Sequence, residues 1–328
     1  MKVHYLLIGV WVGFLTGCTQ PVKMTGEQRG KEICFADPTI IRENGKYYLT
    51  GTGDNTPQGF VMLESDNLID WSVPAGDTAQ YILKQGDHTF GDKGFWAPQW
   101  FKADGSCYLT YTANEQTVLA SADSWKGLFR QQEVKPIDVS EKNIDSYLFR
   151  DDDGRYYLYH VRFNHGNYIW VGEFDMQKGE IKPGTLKQCL TCTEPWESTA
   201  NYVSDPIMEG PTVIKLDGIY YLFYSANHFM NIDYAVGYAT SSSPTGPWTK
   251  YAGNPIIHRS IVGENGSGHG DVFAGTQGDW YYVYHVHHSD SVVSPRKTRI
   301  VPLHLKKNDE GKYDISVNRE EVIIPYCR

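Results

Sequence analysis

MEGPTVIKLDGIYYLFYSAN, residues 208–227, reads as an acid at a turn, an alternating apolar strand, a glycine and a tyrosine-rich strand. Four other stretches repeat that grammar: DPTIIRENGKYYLTGT from Asp37, APQWFKADGSCYLTYT from Ala97, DSYLFRDDDGRYYLYHV from Asp145 and GDVFAGTQGDWYYVYHV from Gly270. In each, a glycine is followed three residues later by tyrosine: Gly45 and Tyr48, Gly105 and Tyr108, Gly154 and Tyr157, Gly218 and Tyr221, Gly278 and Tyr281. The glycines stand 60, 49, 64 and 60 residues apart. Alternating apolar residues, a polar turn such as Glu43-Asn44-Gly45 and an aromatic strand are the signals of an antiparallel hairpin. More strand-like sequence follows each hairpin, for example GFVMLESDNLIDWS from Gly59 and YIWVGEFD from Tyr168. Four strands per unit, repeated every roughly 40 to 60 residues without a helical period, predict an all-β fold, a five-bladed β-propeller with a central funnel. A β-sandwich gives no reason to keep the Gly-to-Tyr interval five times.

Upstream of the repeats, MKVHYLLIGVWVGFLTGC has a basic start and an apolar run of signal-peptide length, too short and wrongly flanked for a stable membrane span. Leu15-Thr16-Gly17-Cys18 resembles the lipobox of bacterial lipoproteins, which implies lipidation at Cys18. An ordinary cleaved signal with an incidental cysteine is the other reading. With Thr19 next, the resemblance implies an outer-membrane anchor in a bacterial cell envelope, with membrane contact through the lipid alone. The chain thus divides into a leader (1–18), a polar tether (19–30) and a propeller domain (31–328).

About 300 residues are enough to bury a full core, and five blades occupy nearly all of them. A formal charge of −9 argues against nucleic acid or polyanionic glycans as partners. The 23 tyrosines and 9 tryptophans suit a sheet-rich core and also supply flat rings for sugar faces. After Cys18 the cysteines are Cys34, Cys107, Cys189, Cys192 and Cys327, an odd set that makes no disulfide framework. Cys189-Leu-Thr-Cys192 lacks the second pair that a zinc site needs, which leaves a local disulfide or two free thiols.

Inner strands of a propeller converge on the axis, so the residue leading each repeat helps line one central pocket. Three of the five leads are acids: Asp37, Asp145 and Glu209. Repeats two and five carry Ala97-Pro98 and His269-Gly270 at that place. A single acid before a strand is a turn or cap residue as readily as a catalyst. Three around one funnel would repel one another and raise the pKa of at least one, which a general acid requires. Two carboxyls across a sugar-sized pocket are the equipment of glycoside hydrolysis. The first and fourth blades are not neighbours, so Asp37 and Glu209 should stand well apart, which favours the inverting geometry.

At these residues the chain resembles glycoside hydrolase family 43, the five-bladed arabinan- and xylan-degrading enzymes. The matching motifs are Ala36-Asp37-Pro38, Phe95-Trp96-Ala97-Pro98, Ile144-Asp145 before Phe149-Arg150-Asp151-Asp152-Asp153-Gly154, Glu209-Gly210-Pro211, and Gly268-His269-Gly270 before Trp280-Tyr281-Tyr282-Val283-Tyr284-His285. The resemblance implies that Asp37 is the general base, Glu209 the general acid, and Asp145 the residue that orients the acid and tunes its pKa. Two departures bear on the pocket wall: Ser146 stands where the family commonly has proline, and Gln99 where an acid is common.

His269 resembles the fifth-blade histidine that lies over the axis near a bound calcium or its waters. Imidazole is a poor ligand for a hard, oxygen-seeking cation, so water-mediated contact is the form expected of any structural Ca2+ here, and no cofactor is required. Arg296 and Arg299 both lie near where the resemblance places a pocket arginine that binds sugar hydroxyls or a catalytic carboxylate, with one of the two expected to be a solvated strand residue. Trp96 is either a sugar platform or a core residue between blades. The resemblance therefore implies an inverting, exo-acting glycosidase of oligosaccharides or polysaccharides. The first expectation is an α-L-arabinofuranosidase, with a β-xylosidase or galactosidase-like enzyme next and a non-catalytic glycan-binding lipoprotein as the competing class. The insertion CLTCTEPWESTANYVSD from Cys189 could wall off the pocket or edge a groove.

Overall fold

The computed structural model describes residues 30–74 and 81–328. The leader, Cys18 and all but the last residue of the tether lie outside them. Each repeat forms the inner hairpin of one blade: Ala36–Glu43 with Lys46–Thr52, Trp96–Ala103 with Ser106–Ala113, Asn143–Arg150 with Tyr156–Phe163, Met208–Leu216 with Ile219–Ala226, and Gly268–Ala274 with Trp280–Val286. The hairpin glycines Gly45, Gly105, Gly154, Gly218 and Gly278 all turn with φ between 81 and 83°. A residue with a β-carbon is strained there, which is why the repeat keeps glycine.

Blades three, four and five each reach at least four strands, as the repeat predicts. Blade two does not. It has three, and only the isolated bridge of Ser121 to Arg130 follows its third strand, Gln116–Ala122. In blade one, Gly59–Val61 leaves the sheet to pair with Tyr81–Lys84, and the blade continues through Leu63–Ser65 and Asp70–Ser72.

Five apolar clusters fill the spaces between adjacent blades. One joins Tyr48 of blade one to Trp100 and Leu109 of blade two, and the next joins Leu119 to Leu148 and Leu158. The others join Tyr157 to Val213 and Leu222, Tyr221 to Val272 and Tyr282, and Phe273 and Val283 to Ile40 and Leu49. The repeated tyrosine is thus an inter-blade residue in four of the five blades, as Tyr48, Tyr157, Tyr221 and Tyr281, whereas Tyr108 of blade two is half-buried outside these clusters. The ring is closed by the chain ends: Tyr326–Cys327 lies between Lys31–Glu32 and Asp70–Trp71 on the outer edge of blade one. Cys34, Cys107, Cys189, Cys192 and Cys327 are all free thiols.

Candidate active site

All five inner strands approach the axis with the same local backbone. Each has a bulge near its start, between Ala36 and Thr39, Trp96 and Gln99, Ile144 and Tyr147, Glu209 and Thr212, and Gly268 and Gly270. The residue after the bulge begins is left-handed every time, with φ of 48° at Asp37, 45° at Ala97, 54° at Asp145, 60° at Gly210 and 41° at His269. Few side-chain-bearing residues hold that conformation, and a bulge re-aims what it carries. The repeat alignment set Glu209 level with Asp37 and Asp145, and the structure corrects this by one residue. Gly210 is the left-handed position, and Glu209 occupies the place of Ala36, Trp96, Ile144 and Gly268. A β-carbon on Gly210 would stand 2.8 Å from the His269 ring, so the fourth blade carries its acid one residue earlier.

The N–H of each left-handed residue is accepted by a side chain of the preceding blade. Thr52 accepts from Ala97 (2.9 Å), Thr112 from Asp145 (3.0 Å), Ser225 from His269 (2.8 Å) and His285 Nδ1 from Asp37 (3.1 Å). These acceptors pair across the hairpin with Ala36, Trp96, Glu209 and Gly268. In blade three that place is Val161, which has no acceptor, and the Gly210 N–H turns instead to Asp145 Oδ2 at 3.4 Å. Asp145 therefore holds the backbone next to Glu209.

The three carboxyls converge on the axis and are all buried. Burial pushes Asp37 up, but the Arg296 guanidinium at 3.1 Å from Oδ1 and the Thr52 hydroxyl at 2.7 Å from Oδ2 hold it well below the usual carboxylate range. His269 and His285 flank it, and burial lowers the pKa of both imidazoles. Glu209 moves the other way. Burial and the nearby Asp37 charge raise it to about 7 against the opposing bond from the Tyr234 hydroxyl, 2.7 Å from Oε1. Asp145 is also raised, by burial and then by Glu209 and Asp37, so the Asp145–Glu209 pair retains a proton into the neutral range.

Above the carboxyls is a cavity of about 270 Å³, lined by Asp37, Asp145, Glu209, His269, Trp96 and Arg296, with Ile144, Asn167, Ile207, His228 and Phe229 completing the wall. Trp96 is 42% exposed, so it faces the funnel and is not packed between blades. Arg296 lies in the loop before the third strand of blade five and stands 4.8 Å from the Phe229 ring. Arg299 is elsewhere, and the expectation for it is corrected twice. It neither reaches the funnel nor meets solvent, being 2% exposed and bonded to Glu264 through Nε (2.8 Å) and Nη2 (2.7 Å) and to Glu32 (3.1 Å). Three residues into the strand its side chain lies within the sheet's buried layer, where it ties the N-terminal strand to blade five.

Beneath the funnel, Gln99 accepts the Leu148 N–H (3.2 Å) and joins blades two and three. Nearby, Asp271 accepts the Thr39 hydroxyl (2.6 Å) and is pushed up to about 6 by burial. Direct ligation of calcium does not fit the axial donors. The carboxylates nearest His269, at 3.5 Å (Asp37) and 3.7 Å (Asp145), are already engaged by Arg296, Thr52 and the Gly210 N–H. A guanidinium on Asp37 puts positive charge where the ion would need negative. Among the described residues no group of three or more His, Cys, Asp or Glu is placed to hold a metal ion.

Sequence reasoning missed Tyr234, Thr52, Asn167, His228 and Phe229. Only Thr52 had a legible signal, as the hairpin residue opposite the one before a lead. The others come from loops or third strands outside the repeated pattern, Asn167, His228 and Phe229 to the cavity wall and Tyr234 to the buried side of Glu209.

The profile of glycosyl hydrolases family 43 matches residues 32–310. A β-xylosidase of Xylanibacter ruminicola is 29% identical over 299 residues, covering 76% of this chain and 87% of that protein. An extracellular endo-α-(1→5)-L-arabinanase of Bacillus subtilis is 26% identical, covering 78% and 79%. Several curated relatives are longer, and the chain spans about half their length, for example 46% of a xylan 1,3-β-xylosidase from Vibrio. Among solved structures, an endo-1,4-β-xylanase from Bacteroides thetaiotaomicron superposes with a TM-score of 0.80 at 38% identity, covering 90% of this chain and 98% of that one. A thermostable family-43 glycoside hydrolase superposes with a TM-score of 0.74 at 31% identity, covering 86% and 92%.

Proposed function

Because the chain belongs to glycosyl hydrolases family 43, we propose that it is an inverting glycosidase that releases a terminal pentose from plant-type oligosaccharides or polysaccharides. The observation that carries this reading is the opposite displacement of two carboxyls facing one cavity: Asp37 held ionised, Glu209 kept protonated to about 7. A pair of carboxyls separated in this way supplies a base and an acid at one pH. Water held by Asp37 attacks the anomeric carbon while the Glu209 proton passes to the leaving oxygen. Arg296 keeps Asp37 charged, Asp145 fixes the backbone beside the acid through the Gly210 N–H, and burial and the Asp37 charge help Glu209 keep its proton. Trp96 is the sugar platform in this reading.

A cavity of about 270 Å³ lies just below the usual size of ligand pockets, roughly 300–1,000 Å³, and supports removal of one terminal sugar. α-L-Arabinofuranose is the first substrate proposed. β-D-Xylose is the second reading, favoured by the names of the Xylanibacter and Vibrio relatives. Attachment to the bacterial envelope through Cys18 belongs to the same proposal.

The test is a screen against aryl α-L-arabinofuranoside, β-D-xyloside and β-D-galactoside with arabinan and arabinoxylan oligosaccharides, using Asp37→Asn as control. Release of one monosaccharide, absent in the control, is the expected result. Binding of an oligosaccharide with no cleavage of any substrate would establish the non-catalytic glycan-binding reading instead.

A further inference from the structure

At the place that Glu209 occupies in blade four, blade five has Gly268, and the space is filled from elsewhere. A β-carbon on Gly268 would stand 2.3 Å from Tyr234 Cδ1, so the Tyr234 ring sits in the slot that Ala36, Trp96, Ile144 and Glu209 fill in the other blades. Tyr234 is fully buried and does not line the sugar cavity. Its ring stacks on His285 with centroids 5.6 Å apart and planes at 17°, and its hydroxyl donates to Glu209 Oε1 at 2.7 Å. His285 in turn accepts the Asp37 N–H through Nδ1. One stacked pair therefore braces both carboxyls, Tyr234 the one in blade four and His285 the one in blade one.

We propose that Tyr234 is the positioning residue of the acid, holding Oε1 so that the transferable proton rides on Oε2 and faces the glycosidic oxygen. The inference rests on the glycosidase reading above. A buried phenol is a suitable brace because it donates one hydrogen bond and adds no charge to a crowded site. The ionisable and charged groups around the pair are Asp37, Asp145, His269, His285 and Arg296. The Asn167 side chain also hydrogen-bonds Glu209, but Tyr234 gives the larger of the two bonds and is the hydroxyl on Oε1, so its removal takes away the main donor to the ionised form.

The experiment is Tyr234→Phe, which keeps the ring stacked on His285, compared with 3-fluorotyrosine placed at position 234 alone. With the phenol gone, the ionised form of Glu209 loses a hydrogen bond. The alkaline limb of kcat should then move up by about one pH unit, and kcat on substrates with poor leaving groups should fall roughly 10-fold with KM nearly unchanged. The fluorinated phenol is a stronger donor and should move the limb down. A lowered melting temperature with the limb unmoved in both variants overturns the proposal, because a merely structural tyrosine would behave in that way.

Carbon-13 NMR titration of the Glu209 carboxyl in the same proteins separates the two readings. If the wild type cleaves nothing, the glycosidase reading fails, while the Glu209 midpoint still shifts up in Tyr234→Phe if Tyr234 braces it. An unshifted midpoint overturns the brace whatever the activity.

Discussion

A carboxyl sealed from water beside a like charge gives up its proton late, and Glu209 is such a group, with the Tyr234 hydroxyl the largest of the influences that oppose this. Its displacement from 4.5 to about 7 sets the alkaline limit of the activity proposed here. The rate should fall above about pH 7 as the acid ionises, while Asp37, held low by Arg296, keeps the acidic limb below the usual carboxylate range. Glu209→Gln should lose activity on natural glycosides yet keep part of it on substrates with good leaving groups, whereas Asp37→Asn should lose both. Equal loss for the two leaving-group types in Glu209→Gln would reverse the assignment.

The same displacement bears on stability. The folded protein binds the Glu209 proton more tightly than the unfolded chain, so stability falls as pH rises from about 4.5 through about 7. Glu209→Gln should therefore stabilise the protein by ~1–3 kcal/mol near pH 8 and by little near pH 4, measured by denaturant unfolding. Gly210→Ala tests the neighbouring backbone. With φ at 60° and the His269 ring 2.8 Å from the new carbon, it should cost ~1–3 kcal/mol and most of the activity, read by thermal unfolding and by kcat.

At the scale of elements, the insertion from Cys189 is fastened to blade four instead of lying free. Glu197 is buried and accepts the Thr193 N–H (2.7 Å), the Glu194 N–H (2.8 Å) and the Tyr224 hydroxyl (2.7 Å), and it pairs with Lys250 at 2.6 Å. Further on, Asp233 accepts the Thr199 hydroxyl (2.9 Å) and Arg259 Nε (2.6 Å). So held, the insertion brings Tyr202 against His228 with centroids 4.6 Å apart and leads into Ile207, and His228 and Ile207 both line the cavity. It backs the pocket wall through the Tyr202–His228 contact and lines none of the cavity itself. Lys250→Ala would leave the Glu197 carboxylate buried and unpaired, at a cost of ~3–5 kcal/mol in thermal unfolding. KM should rise because the wall loosens, and the pH profile should not move because no catalytic carboxyl touches Lys250.

The whole molecule depends on closing the ring. Each inter-blade cluster needs both its blades, and the contact between blades five and one forms only when the chain ends meet. Thr298 bonds both the N–H (3.1 Å) and the carbonyl (3.0 Å) of Phe35, Arg299 reaches Glu32, and Tyr326 and Arg328 donate to Ile69 (2.8 Å) and Trp71 (2.9 Å). Deleting the residues after Ile324 removes the last two bonds and the strand between the edges. At ~1 kcal/mol per bond it should lower the melting temperature by several degrees, and calorimetry should show a broader transition as blade one frays.

From the sequence alone the number of blades, their hairpins and the three acids could be read, because these follow from local rules. A glycine is needed wherever a hairpin turns left-handed, strands alternate with period two, and a repeat that cannot bury itself must stack on copies of itself. Two sequence readings were set aside by packing. Glu209 sits one residue earlier in its bulge than Asp37 does, because the His269 ring leaves no room for a β-carbon at Gly210. Arg299 is buried against Glu264 and Glu32, because its strand faces the closing chain end there and not the funnel. Tyr234, His228 and Phe229 carry no signal in the repeat, since residues from loops and third strands meet the axis only through the curvature of the ring. The kinds of catalytic group are thus a property of the sequence. Which one keeps its proton was decided only by tertiary structure, since a pKa depends on burial and on charges brought together from distant parts of the chain.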